Sequence, residues 1–205
     1  MAGSPNIEIV LFDLGGVLID LGGVPPMKTF ARIDSDDEMW RRWLTCRWVR
    51  SFERGECSPD EFAAGLVGDW ALEVEPEVFL ESFRSWPGGP LPGAVELVAD
   101  VRASVPIGCL SNTNAMHTEN EFAKYEMFDA FDYRFLSYQL GLVKPDRALF
   151  DRVAELVPVA PDRVLFLDDN LVNVEGAVEA GFTARHVRGV DQARAALVEL
   201  EVIGS

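Results

Sequence analysis

Ile9-Val10-Leu11-Phe12-Asp13-Leu14-Gly15-Gly16-Val17-Leu18 is the stretch whose reading decides the fold. Four consecutive apolar residues run into one acid, and two glycines follow almost at once. An unbroken apolar run suits a strand buried on both faces, as in a parallel sheet layered between helices. Such a strand sets Asp13 at its carboxyl end, where open α/β sheets gather their ligands. Gly15 and Gly16 let the backbone turn sharply and come close to a bound group. Taken alone, the same stretch also suits a buried strand ending in a solvated acid.

Downstream of Gly93 the pattern alternates. Helical periodicity over 94–104, 114–125, 145–157, 172–180 and 190–200 is interleaved with apolar runs at 106–111, 133–137, 163–168 and 183–187. Strands alternating with helices mean βαβ units with right-handed crossovers, hence an α/β, doubly wound parallel sheet. Between the first strand and this region the character differs. Residues 20–26 carry Gly22-Gly23-Val24-Pro25-Pro26 and read as a loop. Trp40, Trp43, Leu44, Trp48 and Phe52 recur at spacings of three and four, an amphipathic helix. Ser58-Pro59-Asp60-Glu61 reads as a helix start, with Ser58 as cap, proline in the first turn and Glu61 closing a capping box. Phe62, Leu66 and Trp70 continue that helix, and Pro76 opens another through Phe79 and Phe83. Trp86-Pro87-Gly88-Gly89-Pro90-Leu91-Pro92-Gly93 marks a boundary. About 60 helical residues are too many for an ordinary crossover. The expected division is a core of residues 1–19 and 90–205 and an inserted all-helical cap of residues 20–89 over the sheet's carboxyl edge.

Composition narrows the function. A formal charge of -16 over 205 residues leaves nothing to neutralise a nucleic acid or an anionic membrane, although a small phosphorylated partner needs only a local cation. Cys46, Cys57 and Cys109 form no C-x-x-C pair and read as reduced thiols of a cytoplasmic protein. Met1-Ala2-Gly3-Ser4-Pro5 has neither the basic nor the apolar part of a secretion signal, and no apolar run approaches the ~20 residues of a membrane span.

Three further stretches carry chemistry. Leu110-Ser111-Asn112-Thr113-Asn114 ends a strand with a hydroxyl and an amide beside a helix start, where an anion is favoured; the same residues also suit plain helix caps. Leu167-Asp168-Asp169-Asn170 ends another strand with adjacent carboxylates, which repel and call for a cation unless they merely cap an exposed helix. Hard oxygen ligands of this kind suit Mg²⁺. Gly141-Leu142-Val143-Lys144-Pro145 adds a lysine just before a helix.

In order and spacing these four stretches resemble the motifs of the haloacid dehalogenase superfamily, over nearly the whole chain. The helical segment resembles the small cap of its first type, and Asn173, Glu175-Gly176-Ala177 and Ala180-Gly181 follow the same subfamily pattern. Phe52-Glu53-Arg54-Gly55-Glu56 and the stretches 110–117 and 136–145 are similar to bacterial α-D-glucose-1-phosphate phosphatases. The resemblance implies a Mg²⁺-dependent phosphomonoester hydrolase acting on a small sugar phosphate such as a sugar 1-phosphate. Asp13 would be the nucleophile, Ser111, Asn112 and Lys144 would hold the phosphate, and Asp13, the Gly15 carbonyl and Asp169 would hold the metal, with Asp168 as a further ligand or as an acid just behind the ligands and Asn173 steadying them.

One position departs from the superfamily. Most of its phosphatases carry a second aspartate two residues after the nucleophile as general acid and base, and here Gly15 stands there, as it does in the glucose-1-phosphatase-like branch. Losing that proton donor costs roughly 10²–10⁴-fold in rate, least for leaving groups that are stable as anions. Acidic leaving groups such as a sugar hemiacetal oxygen or a phenol should therefore outrun plain alkyl esters. Asp20, His117 and Glu53 are candidate substitutes for the missing acid. The alternatives are a catalytically weak phosphate-binding regulatory protein, on the ground of Gly15, and a haloacid dehalogenase.

Overall fold

The computed structural model describes residues 6–22, 24–120 and 124–204. The first five residues, Gly23 of the breaker-rich loop and 121–123 of the expected 114–125 helix lie outside the described residues. Along the chain run β1 (Ile9–Phe12), β2 (Ile19–Leu21), α1 (Val24–Ala31), α2 (Asp36–Thr45), α3 (Arg47–Glu53), α4 (Pro59–Trp70), α5 (Pro76–Arg84) and β3 (Pro87–Pro90). There follow α6 (Ala94–Arg102), β4 (Ile107–Ser111), α7 (Ala115–Asn120), β5 (Tyr133–Leu136), α8 (Ser137–Leu140), α9 (Arg147–Leu156), β6 (Val164–Asp168), α10 (Leu171–Glu179), β7 (Thr183–His186) and α11 (Gly189–Glu199).

Five strands form one parallel sheet in the order β5-β4-β1-β6-β7. Every residue of β1 is buried, because its side chains feed two apolar layers in strict alternation. Val10 and Phe12 join Leu97, Val101 and Leu197 of α6 and α11 on one face. Ile9 and Leu11 join Phe150, Val153 and Val174 of α9 and α10 on the other. At about 1.5–3 kcal/mol for each fully buried large apolar side chain, β1 fixes the layering more firmly than local propensity would. The chain builds outward from β1 to β4 and β5, then crosses back to β6 and β7. That switch brings the carboxyl ends of β1, β4 and β6 side by side, the usual ligand crevice of such sheets.

The insert α1–α5 surrounds its own apolar cluster of Trp43, Phe52, Phe62, Trp70, Phe79, Phe83 and Trp86. Phe52 and Phe62 stack with centroids 4.4 Å apart. The capping box forms as expected: Ser58 Oγ accepts from the Glu61 N–H at 3.3 Å, and Glu61 Oε2 accepts from the Ser58 N–H at 2.9 Å. No helix among the described residues is long and apolar enough to cross a membrane.

Three local features differ from the sequence expectation. The helix read through Trp40 to Phe52 breaks at Cys46, whose extended backbone caps both α2 and α3. Trp40, Trp43 and Leu44 line a cavity, and Trp43 also belongs with Val49 and Phe52 to the bundle core. The expected 20–26 loop is instead the end of β2 and the start of α1, with Pro25 and Pro26 in a first turn that needs no N–H donors. Pro87-Gly88-Gly89-Pro90, read as a pure boundary, is β3, paired antiparallel with β2. A two-stranded ribbon tolerates prolines because each strand has one edge without a partner.

Candidate active site

Each strand that meets the crevice ends in a polar residue. Asp13 follows β1, Ser111 closes β4 and Asp168 closes β6. The carboxylates of Asp13, Asp168 and Asp169 each offer an oxygen, and these oxygens lie within 4.8 Å of one another. Lys144, only 1% exposed, sits between two of them: its Nζ is 2.9 Å from Asp13 Oδ1 and 2.7 Å from Asp168 Oδ2, and it also donates to the Leu110 carbonyl at 3.0 Å. Burial alone would strip the charge from Lys144, yet Asp13 and Asp168 outweigh burial and hold its pKa above the ordinary value. Burial pushes Asp13 up to about 7; Lys144 opposes the rise, and Asp168 and Asp169 add to it. Asp169 is pushed up to about 6 by burial and by Asp168, against Lys144 and Arg188. One ammonium does not balance three carboxylates, so the site favours a further cation.

The donor set fits a hydrated divalent ion. Asn173 Nδ2 donates to both oxygens of Asp168 at 3.1 Å, which fixes the amide's orientation and leaves Asn173 Oδ1 buried with no hydrogen-bond partner among the described residues. An orphaned acceptor beside a carboxylate cluster suits the water shell that Mg²⁺ keeps. Asp168 itself is saturated: Lys144 Nζ, the Asn170 N–H and Asn173 Nδ2 occupy its oxygens. Gly16 supplies the close approach. Its φ is +74°, and a Cβ there would lie 2.3 Å from Asp169 Oδ2. Gly16→Ala is therefore expected to destabilise the fold by about 1–3 kcal/mol and to weaken cation binding, through backbone strain and displacement of Asp169. Urea unfolding and Mg²⁺ titration would measure both; an unchanged midpoint with unchanged affinity would refute the crowding.

Asn112 is tied to the lysine loop. Its side-chain amide accepts from the Lys144 N–H at 2.8 Å and donates to the Lys144 carbonyl at 3.1 Å. It braces the lysine loop while lining the cavity. Ser111 is free of a comparable tie, with only a long 3.5 Å contact to the Asn112 carbonyl. Gly15 leaves no room for a longer residue without rearrangement: a Cβ there would meet Leu21 Cδ2 at 2.8 Å.

A cavity of about 160 Å³ lies over this cluster. Asp13, Ser111, Lys144 and Asp169 line its sheet side, and Met27, Met39, Trp40, Trp43 and Glu53 line its insert side. Of the three candidate acids, Asp20 is exposed on β2, packed at Gly88 and outside the cavity wall. His117 lines the cavity, but Nδ1 accepts from Asn114 Nδ2 at 3.2 Å and Nε2 donates to the Phe83 carbonyl at 2.8 Å, a neutral ring with both nitrogens engaged. Glu53 reaches the cavity from the end of α3. Sequence reasoning missed how the insert is held over the sheet. Arg50 and Arg54 both pair with Asp146, at 2.7 and 3.0 Å. Two arginines at i and i+4 on α3 and its cap were the available signal.

The chain belongs to the haloacid dehalogenase-like hydrolases, whose family model matches residues 7–181. It is 30% identical over 189 residues to a D-ribitol-5-phosphate phosphatase of Bacteroides thetaiotaomicron, covering 86% of this chain and 89% of that protein. It is also 30% identical over 142 residues to a pyrimidine 5'-nucleotidase of Escherichia coli, covering 65% and 62%. Among solved structures, a haloacid dehalogenase family enzyme of Bacteroides thetaiotaomicron in complex with magnesium and inorganic phosphate superposes with a TM-score of 0.69 at 27% identity, covering 89% and 94%.

Proposed function

We propose that this chain is a Mg²⁺-dependent phosphomonoesterase working through an aspartyl-phosphate on Asp13. The observation that carries the reading is the placement of a nearly buried carboxylate at a cavity floor, 2.9 Å from a buried ammonium and within reach of two more carboxylates. A carboxylate so placed can attack phosphorus in line, expel the alcohol and hold the phosphoryl group until water hydrolyses it. Lys144 restrains the charge of Asp13 and faces the developing charge on the phosphoryl oxygens, and the Ser111 hydroxyl with Asn112 completes the phosphate seat. Asp13, Asp169 and the Gly15 carbonyl would hold Mg²⁺, which supplies charge neutralisation between the carboxylate and the phosphate dianion. Asp168, with its oxygens filled by protein donors, positions Lys144. Residues 20–89 act as a cap over the core of residues 1–19 and 90–205.

For the substrate we infer a small sugar phosphate, such as a sugar 1-phosphate, on the likeness of the stretches 52–56, 110–117 and 136–145 to α-D-glucose-1-phosphate phosphatases. The names of the two relatives, a ribitol phosphate and a nucleotide phosphatase, support a phosphomonoester of a small molecule and differ in its alcohol part.

Phosphate release across a panel of sugar, alkyl and aryl phosphates, with Mg²⁺ and with chelator, tests the reading. Activity should require the metal. Asp169→Ala should weaken Mg²⁺ binding beyond the roughly 10–100-fold expected for Asn173→Ala, because a direct ligand outweighs a residue that orients one. Metal-independent turnover, or a larger loss in Asn173→Ala, would refute the assignment.

A further inference from the structure

We propose that Glu53 is the proton donor and acceptor of this active site, supplied by the insert and not by the strand that carries the nucleophile. The inference rests on the phosphatase reading and adds a catalytic residue to it. In-line attack from Asp13 sends the leaving oxygen away from the sheet, toward the insert side of the cavity. Asp13, Glu53, His117, Lys144 and Asp169 are the titratable side chains of the cavity wall among the described residues. Asp13, Asp169 and Lys144 belong to the charged cluster on the floor, and both nitrogens of His117 are spent on Asn114 and Phe83. Glu53 is what remains on the side where the alcohol departs.

Its surroundings suit the task. Asn112, which already braces the lysine loop, lies close enough to the Glu53 carboxyl to lower its pKa, and both residues line the cavity beside the phosphate seat. Burial pushes Glu53 up to about 7, against the lowering influence of Lys144, Arg50, Arg54 and Asn112. A carboxyl in that range is both protonated and ionised near neutrality, which a two-way proton carrier needs. The charged groups facing it are Lys144 from the loop before α9 and the two arginines of its own segment, themselves paired with Asp146. Of the three acids of α4, Glu61 enters its capping box, Asp69 pairs with Arg47 and Asp60 is exposed. On α8, Tyr138 presents its hydroxyl to Thr118.

The steps balance. As the Asp13 oxygen bonds to phosphorus and the ester P–O bond breaks, the Glu53 proton passes to the leaving oxygen and the free alcohol forms. Glu53, now a carboxylate, takes a proton from the water that attacks phosphorus. The bond from phosphorus to Asp13 breaks, inorganic phosphate leaves, and Glu53 is again an acid. With such a donor the penalty expected from Gly15 for alkyl esters is confined to variants that lack it.

The test compares the Mg²⁺-loaded parent with Glu53→Gln on 4-nitrophenyl phosphate and on the primary alkyl phosphate of a panel that turns over fastest. The amide keeps the shape but cannot exchange the proton. Expected is a loss in kcat of about 10²-fold or more on the alkyl ester and less than about fivefold on the aryl ester, whose leaving group needs no proton. The parent's fall in kcat/KM above about pH 7 on the alkyl ester should vanish in the variant. A second readout is thermal: because burial raises its pKa, Glu53 favours the fold less as pH climbs from its unfolded value through 7. Glu53→Gln should therefore melt higher than the parent at pH 8 and level with it near pH 5. Equal losses on both esters, no loss on either, a retained alkaline limb, or a parent confined to the aryl ester would each overturn the role of Glu53. A parent that releases phosphate from no ester would overturn the phosphatase reading itself, and this proposal with it.

Discussion

Asp13→Asn is expected to lower phosphate release by roughly 10⁴-fold or more while leaving the fold intact, as removal of a nucleophile does in enzymes that act through a covalent intermediate. The amide keeps the shape, can still accept from the Leu14 N–H that now reaches Asp13 Oδ1 at 2.8 Å, and can still accept from Lys144. It cannot attack phosphorus. The stability side of the result is equally specific. Asp13 is held at a cost, since burial and two neighbouring carboxylates press it up to about 7. Replacing it with a neutral isostere removes that cost, so the variant should melt at or above the parent at pH 8 in chelator. An inactive protein that is no less stable marks a residue kept for chemistry and not for the fold. Activity within tenfold of the parent would remove Asp13 from its role, and a large fall in melting temperature would show the carboxylate to be structural.

What could be read from the sequence divides along physical lines. β1 was legible because burial on both faces leaves an unbroken apolar run, and because its alternation between two helix layers needs no knowledge of the neighbours. Capping boxes are equally local, so Ser58 and Glu61 were legible in four residues. The β2–β3 ribbon was not, since Pro87-Gly88-Gly89-Pro90 carries every mark of a turn and pairs with a strand more than sixty residues away. The charged cluster was legible as residue types at strand ends, whereas the division of labour within it was not. That Asp168 is filled by Lys144, Asn170 and Asn173 while Asp169 lies against Gly16 depends on angles that spacing does not encode. For the same reason spacing alone does not rank Glu53, His117 and Asp20 as candidate acids, whereas their partners and positions do. Asn112 reads as a phosphate contact in the sequence, and its tie to the Lys144 main chain joins segments too far apart for spacing to reveal it.

Lys144→Met should have the largest effect on stability of any change at this site. The methionine keeps most of the stem's volume, so the change removes charge with little cavity. Lys144 and Asp168 are both essentially fully buried, and Asp13 is nearly so. Breaking a buried ion pair by deleting one partner typically costs about 3–5 kcal/mol, because the remaining charge has nothing to offset its lost solvation. At about 2–4 °C per kcal/mol for a domain of this size, the melting temperature should fall by roughly 6–20 °C at pH 8 in chelator. The pH dependence follows from the sign. Without the ammonium, the pKa of Asp13 in the folded state, already raised, rises further above its unfolded value, so the folded state binds protons more tightly than the unfolded one. Stability then declines as pH climbs from the unfolded carboxyl range near 4 through the raised folded value, and the variant's deficit should shrink on going down to pH 5. Mg²⁺ should restore more stability to the variant than to the parent, since it brings positive charge to the same carboxylates. Turnover should fall by at least the 10²–10³-fold typical of losing one group that faces developing charge. Melting curves of parent and variant at pH 5 and 8, with and without Mg²⁺, decide the matter. A deficit under about 1 kcal/mol at pH 8 in chelator, or one that widens toward pH 5, would show that Lys144 does not hold these carboxylates in their charged state.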